Sequence, residues 1–128
     1  MNDFDMYKIT LETISEQNPK DFQELLDDCQ HYQIIKDYIA SDEPNQFLIQ
    51  NMENTLISLI NDGLVSGIIS PLKYVTLIKL NGLTILGCQY LKKLQEQDIQ
   101  QQIKNSFKNS GHIMSTKALT QALAELIF

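Results

Sequence analysis

Arginine and tryptophan are absent from this 128-residue chain, and all ten of its basic side chains are lysines. Arginine reads guanine and clamps phosphate through paired hydrogen bonds, and both residues anchor tight interfaces. Their absence excludes an arginine-based guanine reader and an interface centred on arginine or tryptophan. Cysteine is scarce as well. Cys29 and Cys88 fall in separate apolar runs, with no C-x-x-C or Cys/His spacing. A disulfide framework and a zinc site are therefore excluded, and the expected state is two reduced core thiols in a cytoplasmic protein. No apolar run approaches the roughly 20 residues of a membrane span, so no membrane contact is expected. The opening Met1-Asn2-Asp3-Phe4-Asp5 is acidic and does not read as a signal peptide.

What remains is ordinary globular composition, 43% hydrophobic and 20% charged. The length suits one hydrophobic core with at most a small appendage. The formal charge is -6, and it is unevenly spread. Residues 1–62 hold three lysines against thirteen acids, a balance of -10, while residues 63–128 hold seven lysines against three acids, a balance of +4. Such a split concerns fields and partners rather than fold.

Apolar residues recur at helical spacing along most of the chain. Phe4, Tyr7, Leu11 and Ile14 form a first stripe, preceded by acids suited to a helix N-terminus. Asn18-Pro19 then punctuates, with Asn18 expected to cap a second helix and Pro19 in its first turn. Residues 19–40 read as one bent helix or two short ones. Ser41-Asp42-Glu43-Pro44 is a break, and Asn45 is the expected cap of a helix over about 46–61 that faces Leu48, Met52, Leu56, Leu59 and Ile60 inward. Asp62-Gly63 closes it. The period then drops toward two. Residues 64–69 and 74–80 read as the strands of a β-hairpin with its turn at Ser70-Pro71-Leu72-Lys73. A helix follows, capped by Thr84, with Leu83, Leu86, Tyr90, Leu91 and Leu94 on one face and Gly87 allowing close approach. Residues 98–109 form a glutamine-rich helix bearing Ile99, Ile103 and Phe107. After a break at Ser110-Gly111, Ser115 caps a last helix with Ala118, Leu119, Ala122, Leu123, Leu126 and Ile127 on one side.

Helices, a helix closed by Asp-Gly, a two-stranded hairpin and a further helix follow the order of a winged helix-turn-helix. The fold class expected is mainly α with a small β-hairpin, a winged helix-turn-helix over 1–95 with additional C-terminal helices over 96–128. That extension either packs on the domain or dimerises. In such a fold the helix before the hairpin enters the major groove and the hairpin turn is the wing. The run Leu83-Thr84-Ile85-Leu86-Gly87-Cys88-Gln89-Tyr90-Leu91 resembles the L-T-x-x-G-x-x-Y-L signature that follows the wing in small bacterial winged-helix proteins. It is most similar to the YjcQ-type family and to a related domain of unknown function from phages and prophages. Leu59-Ile60-Asn61-Asp62-Gly63-Leu64-Val65 resembles the helix-end pattern of the same group. The motif-level resemblance spans about residues 45–95, and residues 19–44 depart from it by their length. It implies the fold and a phage or prophage setting, not an activity.

The chemistry points away from catalysis. No phosphate-binding glycine loop, nucleophile elbow or paired-carboxylate motif is present, so no enzyme and no cofactor are expected. His31 stands at helical spacing from Asp27 and Asp28, half of a metal site at most, and an ordinary helix-surface ion pair outweighs that reading. His112 lies in a polar break. Two partners are expected to compete. Double-stranded DNA would be bound weakly, with Gln46, Gln50, Asn51 and Asn54 facing bases and Lys73, Lys79, Lys92 and Lys93 meeting phosphate; Lys104, Lys108 and Lys117 stand farther out. A protein partner, met by the acidic half, is the alternative, and an acidic surface of that kind suits a host-directed or nucleic-acid-mimicking role. A homodimer is also expected, through Leu119, Leu123, Leu126 and Ile127. The function implied is that of a non-enzymatic regulator working through DNA or protein contacts, or else of an acidic interaction module that binds no DNA.

Overall fold

A computed structural model of the chain describes residues 2–110 and 115–127, without the side chains of 109 and 110. Among these are seven α-helices, a 3-10 turn and one two-stranded antiparallel sheet. The helices α1 (Asp3–Gln17), α2 (Phe22–Asp28), α3 (Gln33–Ala40) and α4 (Asn45–Asn61) precede the hairpin of β1 (Val65–Pro71) and β2 (Thr76–Leu83). Three helices follow, α5 (Ile85–Leu94), α6 (Gln97–Ser110) and α7 (Thr116–Ile127). The molecule is mainly α with a small β-hairpin. Gly111 and His112 lie outside the described residues.

α1 begins with a reciprocal cap, in which the Asp5 amide donates to Asn2 Oδ1 and the Asn2 amide to Asp5 Oδ2. The expected stripe of Phe4, Tyr7, Leu11 and Ile14 is buried, but so are Met6, Ile9, Thr10 and Thr13. α1 is therefore enclosed on several sides, with α2, α4, α5, α7 and β2 all packed against it.

Asn18 does not cap the second helix. It ends α1 instead, in the left-handed region at φ 50, with its amide donating to the Ile14 carbonyl. Lys20 and Asp21 lie beside β2: the Leu80 amide donates to the Lys20 carbonyl at 2.8 Å, and Asp21, in an extended conformation, forms an isolated bridge with Lys79. Helix formation therefore waits until Asp21 caps α2 by accepting from the Glu24 amide at 2.8 Å. Residues 19–40 hold two helices, parted by the 3-10 turn Cys29–His31. Asn45 is the first residue of α4 rather than its cap, because Pro44 supplies the carbonyl that accepts from the Phe47 amide.

Gly63, at φ 81, closes α4. The hairpin pairs Val65 with Leu83 through Pro71 with Thr76, with a bulge at Ser66/Gly67, and its turn lies at 72–75, two residues past the expected position. Thr84 then joins three segments. Its hydroxyl donates to the Gly63 carbonyl and accepts from the Gly87 amide, and its own amide donates to the Leu64 carbonyl. Gly87 sits so close to this junction that a Cβ would run into the Leu64 carbonyl.

α7 settles the place of the C-terminal extension. It packs on α1, α4, α5 and α6, and the Tyr7 hydroxyl meets Thr120 Oγ1 at 2.9 Å. Leu119 and Leu123 are 0% exposed within the chain's own core. Of the four residues expected at a dimer surface, these two are covered by the chain itself. Leu126 and Ile127 lie nearer the surface.

Two measurements check this packing by chemical denaturation. Gly87→Ala should cost more than Gly63→Ala. The first forces the α5 junction apart, an overpacking cost of about 1–3 kcal/mol or more. The second adds a side chain in open space and meets only the left-handed backbone penalty of about 1 kcal/mol. Leu123→Ala should destabilise the chain by about 2–5 kcal/mol, whereas Leu126→Ala should stay within about 0.5 kcal/mol.

Candidate interaction surface

The polar residues expected to read bases are where helical spacing puts them. Gln46, Gln50, Asn51 and Asn54 are all exposed on α4, and Gln50 Nε2 donates to Asn54 Oδ1 at 3.1 Å. They share that exposed surface with Phe47, which is 58% exposed, and with Ile49. Acids flank the helix: Asp42 and Glu43 precede it and Glu53 lies within it.

The hairpin is more apolar outside than a solvent-facing sheet requires. Val65, Ile78 and Leu80 turn inward and are buried. Ile68 and Leu77 turn outward, and Leu72, Tyr74 and Val75 stand exposed around the turn, Tyr74 at 89%. The Lys73 ammonium lies 5.3 Å from the Tyr74 ring centroid, a cation–π arrangement. Ile85, 83% exposed, opens α5 nearby in sequence.

Two grooves flank these elements. One, of about 210 Å³, runs between α2, α3 and α4 over Leu26, Cys29, Ile35, Ile39, Leu48 and Met52, with Asp27 among its polar lining residues. The other follows β2 from Val75 to Lys79 against Asp21 and Phe22. Gln23 lines both, so the two grooves meet at that residue.

The lysines do not gather into one phosphate clamp. Lys79 lines the β2 groove. Lys92 and Lys93 line a separate groove with Gln89, Glu96 and Ile127, and Lys93 pairs with Glu96 at 3.7 Å. Lys73 stands at the hairpin turn. Residues 63–95 nevertheless hold four lysines and no acid, whereas residues 21–62 hold nine acids and one lysine. The charge asymmetry of the sequence is thus an asymmetry between the hairpin with α5 and the helices α2 to α4.

Cys29 is buried at the floor of the first groove, its thiol donating to the Leu26 carbonyl, and burial pushes that thiol up to about 11. Cys88 is exposed, contrary to the expectation of two core thiols, because it falls on the outer face of α5. Tyr7, Tyr32 and Tyr90 are all held above the usual tyrosine range, first by burial. At Tyr32 a hydrogen bond to the Glu12 carboxylate adds to the shift, and at Tyr7 the Thr120 hydroxyl opposes it. His31 turns its Nδ1 to the Asp28 carbonyl at 2.7 Å and stacks against Tyr32. Among the described residues, no three of His, Cys, Asp and Glu come together as a metal site.

No family model, curated protein or solved structure matches the chain. The exposed apolar set is the feature that the helical and strand stripes passed over. Its signal was present as residues out of phase: Phe47 and Ile49 flank the Leu48 stripe position, and Ile68-Ile69 and Leu77-Ile78 put apolar side chains on both faces of a two-stranded ribbon.

The raised acids give a pH dependence. Cys29 and the tyrosines lose protons in the unfolded chain before they do so in the folded one, so stability is whole below pH 9 and falls as pH rises. The unfolding free energy is expected to decline between pH 9 and about 11. Cys29→Ala, compared with its own value at pH 8, should lose the part of that decline below pH 10. An unchanged slope in the variant would remove Cys29 as its source.

Proposed function

We propose that this chain is a non-catalytic protein of winged-helix type, of the phage or prophage kind its sequence resembles, that acts by docking on protein. The hairpin and the adjoining α2–α4 groove form its contact surface. The observation that carries this reading is the exposed apolar set of Tyr74, Leu72, Val75 and Leu77, of which Val75 and Leu77 line the groove along β2. Four helices, a hairpin and a fifth helix support the winged-helix assignment, as does the short extended segment at Lys20–Asp21 that pairs with β2.

DNA binding is the second reading. The exposed Lys73, Lys79 and Lys92 in an acid-free segment favour it. Phosphate contacts supply most of the affinity for duplex DNA, however, and residues 37–72 contain no lysine. An α4 flanked by Asp42, Glu43 and Glu53, with Phe47 and Ile49 exposed among its polar side chains, is poorly suited to a phosphate-lined groove.

Fluorescence anisotropy with a labelled duplex at 50 and 200 mM salt separates the two. The expected result is binding no tighter than the roughly 10⁻⁴ M of a weak non-specific contact. Submicromolar binding that falls steeply with salt and is weakened by Lys73→Glu would overturn the protein-docking reading.

A further inference from the structure

We propose that the partner is a second copy of this chain, with the hairpin tip of each protomer, led by Tyr74 and Lys73, seated in the other's α2–α4 groove. This inference rests on the protein-docking reading above and names its partner. Three features of the molecule favour self-association.

The first is charge. The hairpin and α5 carry four lysines and no acid, while residues 21–62, from the N-cap of α2 to the C-cap of α4, carry nine acids and one lysine. The chain is therefore complementary to itself. A hairpin approaching the groove of another copy brings Lys73 toward Asp27, and such fields both steer association and fix orientation.

The second is size. At about 210 Å³ the groove lies below the roughly 300–1,000 Å³ of typical ligand pockets. It suits one large side chain better than a cofactor. Tyr74 is the most exposed large side chain of the hairpin, and the groove offers it both an apolar floor of Leu26, Ile39 and Met52 and the polar groups of Gln23, Gln30 and Asn45 for its hydroxyl. Tyrosine suits such a position because it supplies a rigid apolar ring with a polar end.

The third is symmetry. Gln23 lines both the α2–α4 groove and the groove along β2, so the acceptor groove meets, at that residue, a groove walled by the strand that leaves the hairpin tip. A twofold contact needs that arrangement, because each copy must give and receive through the same patch. Such an interface closes at two copies instead of growing into a filament. The site also replaces the one expected on α7, whose Leu119 and Leu123 are committed to the core.

Sedimentation velocity on the full chain across about 1–200 µM tests the proposal. A concentration-dependent dimer is expected, weakened as salt rises from 50 to 500 mM. Tyr74→Asp and Lys73→Glu should each weaken it by about tenfold. Both residues are exposed, and circular dichroism should report unchanged folding. Lys73→Glu combined with Asp27→Lys should restore association to within about threefold of the native chain, an effect that a merely structural role would not produce. A chain that stays monomeric at 200 µM overturns the proposal and leaves this surface to a different protein. A dimer indifferent to all these variants also overturns it, by placing the interface elsewhere. Submicromolar, salt-sensitive duplex binding by a chain that stays monomeric, by contrast, would remove the protein-docking reading as well.

Discussion

The fold depends on burying α1 on several sides at once. A helix so enclosed keeps only a narrow polar stripe at the surface, where Lys8 pairs with Glu12 at 3.8 Å, and its other polar atoms must be satisfied within the core. Thr10 and Thr13 meet that constraint locally, each hydroxyl donating to the carbonyl four residues back, at Met6 and Ile9. Left unpartnered, each would cost about 1–3 kcal/mol. Tyr7 meets it at long range, through Thr120 on α7. The first helix and the last are thereby joined directly, and the ring of helices around α1 closes only when both are in place. The C-terminal extension thus belongs to the core that α1 organises.

The hairpin stands at the margin of this core, and two strands alone are marginal. It is secured at its base, where Thr84 collects the end of α4, the exit of β2 and the start of α5 into one hydrogen-bonded junction. Its inner face gives Val65, Ile78 and Leu80 to the core, and its outer face keeps an apolar surplus that folding does not use. A sheet that served only to cover helices would carry polar residues on that outer face. The surplus is the physical ground for reading the hairpin as a contact surface.

Much of this architecture could be read in the sequence, and the exceptions share a cause. α4, its closure at Gly63, the hairpin and the Thr84 cap of α5 follow from local chemistry acting on neighbours in the chain. The start of α2 does not, because Lys20 and Asp21 are held extended by β2, some sixty residues later in the sequence. Met6 and Ile9 gave no periodic signal, since burial on several sides erases the stripe by which helices are recognised. The apolar face of α7 was plain, yet a stripe does not say whether its cover comes from the same chain. The polar α4 positions and Lys73, Lys79 and Lys92 are exposed and Lys93 is half-buried, but exposure is a weak property for polar residues. The apolar contact set lay out of phase with every stripe, so attention to the core passed over it.

Asp21 has a mechanical consequence. Its single extended conformation, φ -153 and ψ 178, serves two structures, the bridge to Lys79 in β2 and the N-cap of α2. The hairpin is a cantilever clamped at one end, and one of its clamps is the first turn of a helix that walls the groove. A force applied at Tyr74 need not dissipate in a loop. β2, Asp21 and α2 are joined in series, so the hairpin and one wall of the groove share a single support.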